Sequence, residues 1–255
     1  MTRLFLLFIS MTLLSLTACN NQSSTTDSSP EETVPSNEPK IEPKIEPLVE
    51  EVLTKEQRDA MSPDEVLALF ERGNMRFMNS DLTARDHSAQ VRKSASGQFP
   101  KAVVLSCLDS RVPVEDVFDR GIGDIFVGRV AGNFVNEDLL GSMEFGCKVA
   151  GAKLILVMGH EYCGAVKAAI DDVKLGNITA MLSKIRPAVE KVEYEGDRSS
   201  TNEEFVHMVC ESNVKHTIEQ IRTKSPILKE MEDSGQIKIV GAVYDMETGV
   251  VEYLD

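Results

Sequence analysis

Residues 103–113 read VVLSCLDSRVP. A β-branched apolar run ends in Cys107, and Asp109 and Arg111 follow at two-residue steps. A run apolar on both faces predicts a strand buried inside a sheet rather than lying at its surface. Two further runs, 124–130 and 153–159, have the same character and are bounded by Gly, Asp or Asn. Helical patterns separate them at 114–119, 137–150 and 163–173. This alternation predicts an α/β fold with a central, mostly parallel sheet flanked by helices. Upstream, Ser62-Pro63-Asp64-Glu65 is a capping box with proline at the first helical position, predicting a helix over 62–79. A shorter helix is expected over 89–96. Downstream, amphipathic patterns predict helices over 177–194, 202–221 and 225–234. The chain then closes on a β-hairpin, 236–244 and 250–254, around Met246-Glu247-Thr248-Gly249.

The chain has 255 residues, enough for one sizeable domain with appendages. Residues 1–18 combine Arg3, an apolar stretch from Leu4 to Leu16, and small residues before Cys19, as in a secretory signal peptide. Leu16-Thr17-Ala18-Cys19 resembles a bacterial lipobox, which implies a lipid on Cys19. The alternative is an ordinary signal peptide with a chance cysteine. Asn20 in place of aspartate goes with the outer membrane, so the expected location is the bacterial envelope. Residues 19–52 are rich in Pro, Ser and Glu. Between Asn20 and Val52 lie eight acids and two lysines, a net of −6. Such a segment buries too little to order itself and reads as a tether. It would reach roughly 30 Å as a coil and about 90 Å if extended. The globular domain is expected over 53–255. The net charge of −14 argues against a nucleic-acid partner.

Open α/β sheets place ligands at the carboxyl ends of their strands. Two loops there carry chemistry. One is Cys107-Leu108-Asp109-Ser110-Arg111, the other Gly159-His160-Glu161-Tyr162-Cys163-Gly164. A thiolate phosphatase needs a glycine-lined loop and a more distant arginine, and Asp109 would repel a phosphate. No Gly-x-Ser-x-Gly elbow occurs. Two thiols and one imidazole instead suit zinc with one open position. A disulfide remains an alternative for an exported chain, pairing Cys107 with Cys163 or Cys147 with Cys210. Otherwise Cys147 and Cys210 read as small buried apolar residues. His87, His207 and His216 have no paired spacing and read as ordinary surface or satisfied residues.

Cys-x-Asp-x-Arg at Cys107, Asp109 and Arg111, His-x-x-Cys-Gly at His160, Cys163 and Gly164, and Ala131-Gly132-Asn133 together resemble the β-class carbonic anhydrases. The similarity spans about 200 residues. It implies one Zn²⁺ per subunit on Cys107, His160 and Cys163, and reversible hydration of CO₂ to bicarbonate through a zinc-bound hydroxide. Asp109 would accept a hydrogen bond from that hydroxide while Arg111 pairs with Asp109. Gln98, Phe126 and Gly164 fall at substrate-side positions, in a homodimer or homotetramer whose partner chain supplies some pocket residues. Phe145 stands where many members have tyrosine, and its simpler reading is core packing. Some members close the site by moving the aspartate onto zinc, using a pocket that contains tryptophan. This chain has no Trp, so an open site with water as fourth ligand is expected. Two other readings keep the fold: a non-catalytic zinc protein, and a carbon disulfide hydrolase with a long tunnel.

Overall fold

A computed structural model describes residues 47–254. Three helices come first: α1 (Lys55–Asp59), α2 (Pro63–Met78) and α3 (His87–Ser94). The core then runs β1 (Ala102–Ser106), α4 (Val114–Val117), β2 (Ile125–Arg129), α5 (Glu137–Glu144) and β3 (Leu154–His160). Next come α6 (Gly164–Ile170), α7 (Gly176–Leu182), α8 (Arg186–Lys191), α9 (Glu203–Lys224) and α10 (Pro226–Asp233), then β4 (Lys238–Tyr244) and β5 (Val251–Leu254). The sheet order is β2-β1-β3-β4-β5, parallel except for the β4–β5 pair.

The expected architecture is present, and the apolar runs explain it. Every residue of β1 and of β3 is buried. On one face Val103, Leu105, Ile155 and Val157 pack against Val214, Ile218 and Ile221 of α9. On the other, Val104, Leu154 and Leu156 meet Val66 and Phe70 of α2. Alternation along each strand therefore feeds two apolar layers. The capping box at Ser62 is formed with Glu65. The hairpin is formed by β4 and β5.

Four local expectations change. Ordered contacts begin before residue 53: Val49 N–H donates to Ala84 C=O at 2.8 Å and Val49 C=O accepts from Asp86 N–H at 3.0 Å. Residues 47–52 thus lie against the domain rather than in a free tether. Thr54 and Gln57 cap a short α1 that the apolar pattern did not mark. The single helix expected over 177–194 is two, α7 and α8. Pro187 lacks the N–H that would continue the first helix, and the turn tightens, with Ile185 N–H on Leu182 C=O at 3.0 Å. The helix expected over 137–150 is α-helical through Glu144 and ends in a π-helical turn, Phe145–Val149, with Ala150 N–H reaching back to Phe145 C=O at 2.9 Å. In that turn Gly146 and Cys147 are buried and Phe145 is 55% exposed, so Phe145 is not a core residue. Residues 1–46, with the signal peptide, Cys19 and most of the tether, lie outside the described residues.

Candidate metal centre

β1 is paired with β2 on one side and with β3 on the other, so the chain direction diverges between β1 and β3. A crevice opens where the loops after two such strands part. Cys107 follows β1, and His160 ends β3. Tyr162 then turns the chain at a positive φ of 54°, which brings Cys163 in as the residue before α6. Cys107 Sγ, a His160 ring nitrogen and Cys163 Sγ lie within 4.8 Å of one another, and all three residues are buried.

The donor atoms fit a tetrahedral cation. The two sulfurs are 4.0 Å apart and both cysteines are free. Two sulfurs each about 2.3 Å from a tetrahedral zinc stand about 3.8 Å apart, whereas a disulfide needs about 2.05 Å. His160 Nδ1 lies 2.7 Å from Glu161 C=O. A carbonyl only accepts, so Nδ1 carries the hydrogen and Nε2 keeps its lone pair. Nε2 is buried and has no hydrogen-bond partner among the described residues. A buried acceptor aimed at two sulfurs with no donor is the expected form of a metal ligand.

The two thiols share their charge unequally. A hydrogen bond from the Cys163 thiol, with help from the Gly132 N–H, lowers Cys107 against its burial. The same Cys107 contact and burial push Cys163 up. Gly132 N–H donates to Cys107 Sγ at 3.3 Å. This is the contribution of the Ala131-Gly132-Asn133 loop.

Asp109 sits at the rim, with Oδ2 3.8 Å from His160 Nε2. Arg111 holds it three ways: Nε to Oδ1 at 2.9 Å, a terminal guanidinium nitrogen to Oδ2 at 2.8 Å, and its own backbone N–H to Oδ1 at 3.0 Å. The Arg111 guanidinium keeps the Asp109 carboxyl well below the usual carboxylate range. Arg111 itself is half exposed, at 55%, whereas Asp109 is mostly covered, at 17%. Gly164 opens α6 beside Cys163, and a Cβ there would meet no other residue within 4 Å, so the helix start is open on that side.

The remaining expected site residues lie elsewhere in the protomer. Gln98 is exposed in the turn after α3 and makes no hydrogen bond to the cluster among the described residues. Phe126 is on edge strand β2, three residues short of its carboxyl end, or about 10 Å of strand. Its ring centroid is 6.4 Å from that of Phe145, and the two line an open cavity of about 580 Å³ with Val103, Leu139 and Met143. No metal-ligating residue lines that cavity. Cys147 and Cys210 are buried free thiols, each pushed up to about 12 by burial, and not a disulfide. His207 stands between Glu161 and Glu211, at 3.4 Å from each, and His216 beside Glu219.

Arg129 is a site residue that motif reading missed. At the end of β2 its guanidinium donates to Cys107 C=O at 3.1 Å and to Val112 C=O at 2.7 Å, with Asp109 C=O at 3.5 Å. One side chain thus braces the whole loop that carries Cys107, Asp109 and Arg111. An arginine closing an otherwise apolar strand was the available signal.

Comparison with known proteins agrees with this geometry. The sequence profile of the family described as carbonic anhydrase matches residues 102–251. Carbonic anhydrase 2 of Mycobacterium tuberculosis is 34% identical over 183 residues, covering 69% of this chain and 86% of that protein. The carbonic anhydrase of Mycolicibacterium smegmatis is 33% identical over 186 residues, covering 71% and 87%. Among solved structures, a Coccomyxa β-carbonic anhydrase in complex with acetazolamide superposes with a TM-score of 0.58 at 27% identity, covering 74% of this chain and 84% of that one. The β-carbonic anhydrase CcaA gives 0.59 at 25% identity, covering 75% and 86%. Two thiols and an imidazole converge on one point beside an arginine-held aspartate, on a fold and a sequence shared with these enzymes, and the chain belongs to the β-class carbonic anhydrase family.

Proposed function

We infer that the protein interconverts CO₂ and bicarbonate at a zinc ion held by Cys107, His160 and Cys163. The observation that carries this reading is the three-donor cluster with the Asp109 carboxylate at its open side. Two thiolates and an imidazole suit zinc and leave one of four tetrahedral positions for water. When bound, zinc supplies Lewis acidity that brings the pKa of a coordinated water near 7. The chain does the rest. Asp109 Oδ2, at the open side of the cluster, would accept a hydrogen bond from a water held there and so orient it toward CO₂. Arg111 occupies both carboxylate oxygens, which keeps Asp109 ionised and keeps it off the metal. Arg129 fixes the loop backbone, so that these groups approach the substrate already oriented. Stripping the metal with a chelator should abolish CO₂ hydration, and one equivalent of zinc should restore it. Stoichiometric zinc without hydration would instead support a non-catalytic zinc protein.

Gln98 and Phe126 then serve the site of a second copy, not their own. Several features favour pairing through the β2 edge. All five residues of β2 are only partly buried, and Phe145, Val149 and Leu108 are exposed at 55%, 72% and 65%. An uncovered edge strand with apolar neighbours is a surface for association. A protein that sediments as a monomer at full activity would overturn this pairing.

The lipobox-like Leu16-Thr17-Ala18-Cys19 supports a lipid anchor on Cys19, with residues 20–46 spacing the enzyme from an envelope membrane. Cys19→Ser is expected to move the protein from the detergent phase to the aqueous phase in phase partitioning. Unchanged partitioning would exclude the anchor.

A further inference from the structure

Helix α9 buries a face that is apolar except for Asn213 and Thr217. Val206, Val209, Val214, Ile218 and Ile221 are buried there, and so is the amide of Asn213, which is 0% exposed. Burying an amide costs free energy unless its hydrogen bonds repay it. Asn213 makes one: Nδ2 donates to Gly132 C=O at 2.8 Å. Glycine at position 159 lets α9 approach this closely, since a Cβ there would stand 2.8 Å from Val214 Cγ2.

Gly132 is the third residue of a turn closed by Asn133 N–H on Val130 C=O at 2.9 Å. Its φ is +81°, the left-handed value that a type II turn requires at this position and that glycine supplies. This conformation points Gly132 N–H at Cys107 Sγ, 3.3 Å away. Rotating the preceding peptide to the type I form would carry that N–H off the sulfur, and displacing Gly132 as a whole would move its N–H and its carbonyl together. The carbonyl is the group Asn213 grips.

We infer that Asn213 is a positioning residue for the metal centre: by holding the Gly132 carbonyl it keeps the Gly132 N–H on Cys107 Sγ, and so sets how strongly that sulfur donates to the metal. The inference rests on the reading of Cys107 as a metal ligand. A hydrogen bond to a ligating thiolate withdraws electron density from it, and such outer partners tune the metal. Without it Cys107 would donate more strongly to a bound zinc, which would then supply less Lewis acidity.

The test is cobalt substitution of wild type, Asn213→Leu and Asn213→Ser. Leucine keeps the volume without the donor, and serine is too short to reach Gly132. In both variants the thiolate-to-cobalt charge-transfer band should move to longer wavelength. The midpoint of the pH profile for CO₂ hydration by the zinc forms should rise by on the order of half a unit. A role confined to helix packing would lower the melting temperature and leave band and midpoint in place, and that result overturns the inference. If the leucine variant does not fold, the serine variant decides. A wild-type protein showing no thiolate-to-cobalt band would overturn the metal site itself, and is thereby distinguished from a failure at Asn213.

Discussion

Replacing His160 by alanine is expected to abolish zinc retention and CO₂ hydration together. His160 is 1% exposed, and its Nε2 has no partner among the described residues except the place between two sulfurs. Losing an outer-shell partner of a metal ligand typically costs about 10–100-fold, and losing one of three ligands should exceed that range. Glu161 C=O would lose its imidazole donor at the same time. A second consequence distinguishes loss of metal from loss of fold. The sulfurs of Cys107 and Cys163, 4.0 Å apart and no longer separated by a cation, should become competent to form a disulfide in air. Titratable thiols in the oxidised variant would fall by two, while Cys147 and Cys210 stay reduced in their buried sites. Metal analysis, thiol counting and a hydration assay on one preparation check all three. A variant that keeps a full equivalent of zinc would show that the cluster is not the metal site.

Asp109→Asn should separate binding from chemistry. The metal donors are untouched, so zinc is expected to remain stoichiometric. The side chain keeps its size but loses its charge, and one of its two atoms now donates where both had accepted. Arg111 needs acceptors at both positions, at 2.9 and 2.8 Å, so an amide leaves one guanidinium N–H facing another N–H. The water loses its oriented acceptor. A positioned acid–base group contributes about 10²–10⁴-fold, and a loss of hydration in that range is expected. The pH profile of the wild type carries a related expectation. The Asp109 carboxyl is held well below the usual carboxylate range by Arg111, so its ionised form, the form that accepts, persists as pH falls through the ordinary carboxylate region. Loss of activity between pH 8 and pH 6 would therefore not report Asp109 protonation. Full activity in Asp109→Asn would remove the role given to this residue.

The two buried strands were readable because both of their faces are apolar, a pattern that few surface segments share. The metal cluster was readable because its three donors sit in two short motifs at strand ends, and strand ends are where this topology opens. Phe145 was misread for a geometric reason. It stands two residues after Met143 and five after Leu140, the buried residues of α5, so helical geometry turns it away from the core. The break between α7 and α8 was hidden by apolar residues such as Ile178, Ile185 and Val189, which keep helical spacing straight across Pro187. Arg129 was marked only by its place at the end of an apolar strand, and Asn213 by nothing. Both act on backbone carbonyls, and a carbonyl leaves no mark in the sequence of the segment that receives the bond. Gln98 and Phe126 matched family positions in sequence, but one protomer does not bring them to its own cluster.

Anomalous diffraction at the zinc edge, on crystals grown near neutral pH, tests the central claim most directly. The account predicts a single strong peak bounded by Cys107 Sγ, His160 Nε2 and Cys163 Sγ, with the Asp109 carboxylate still paired to Arg111. A disulfide between Cys107 and Cys163 with no peak, or a peak coordinated by Asp109, would contradict it.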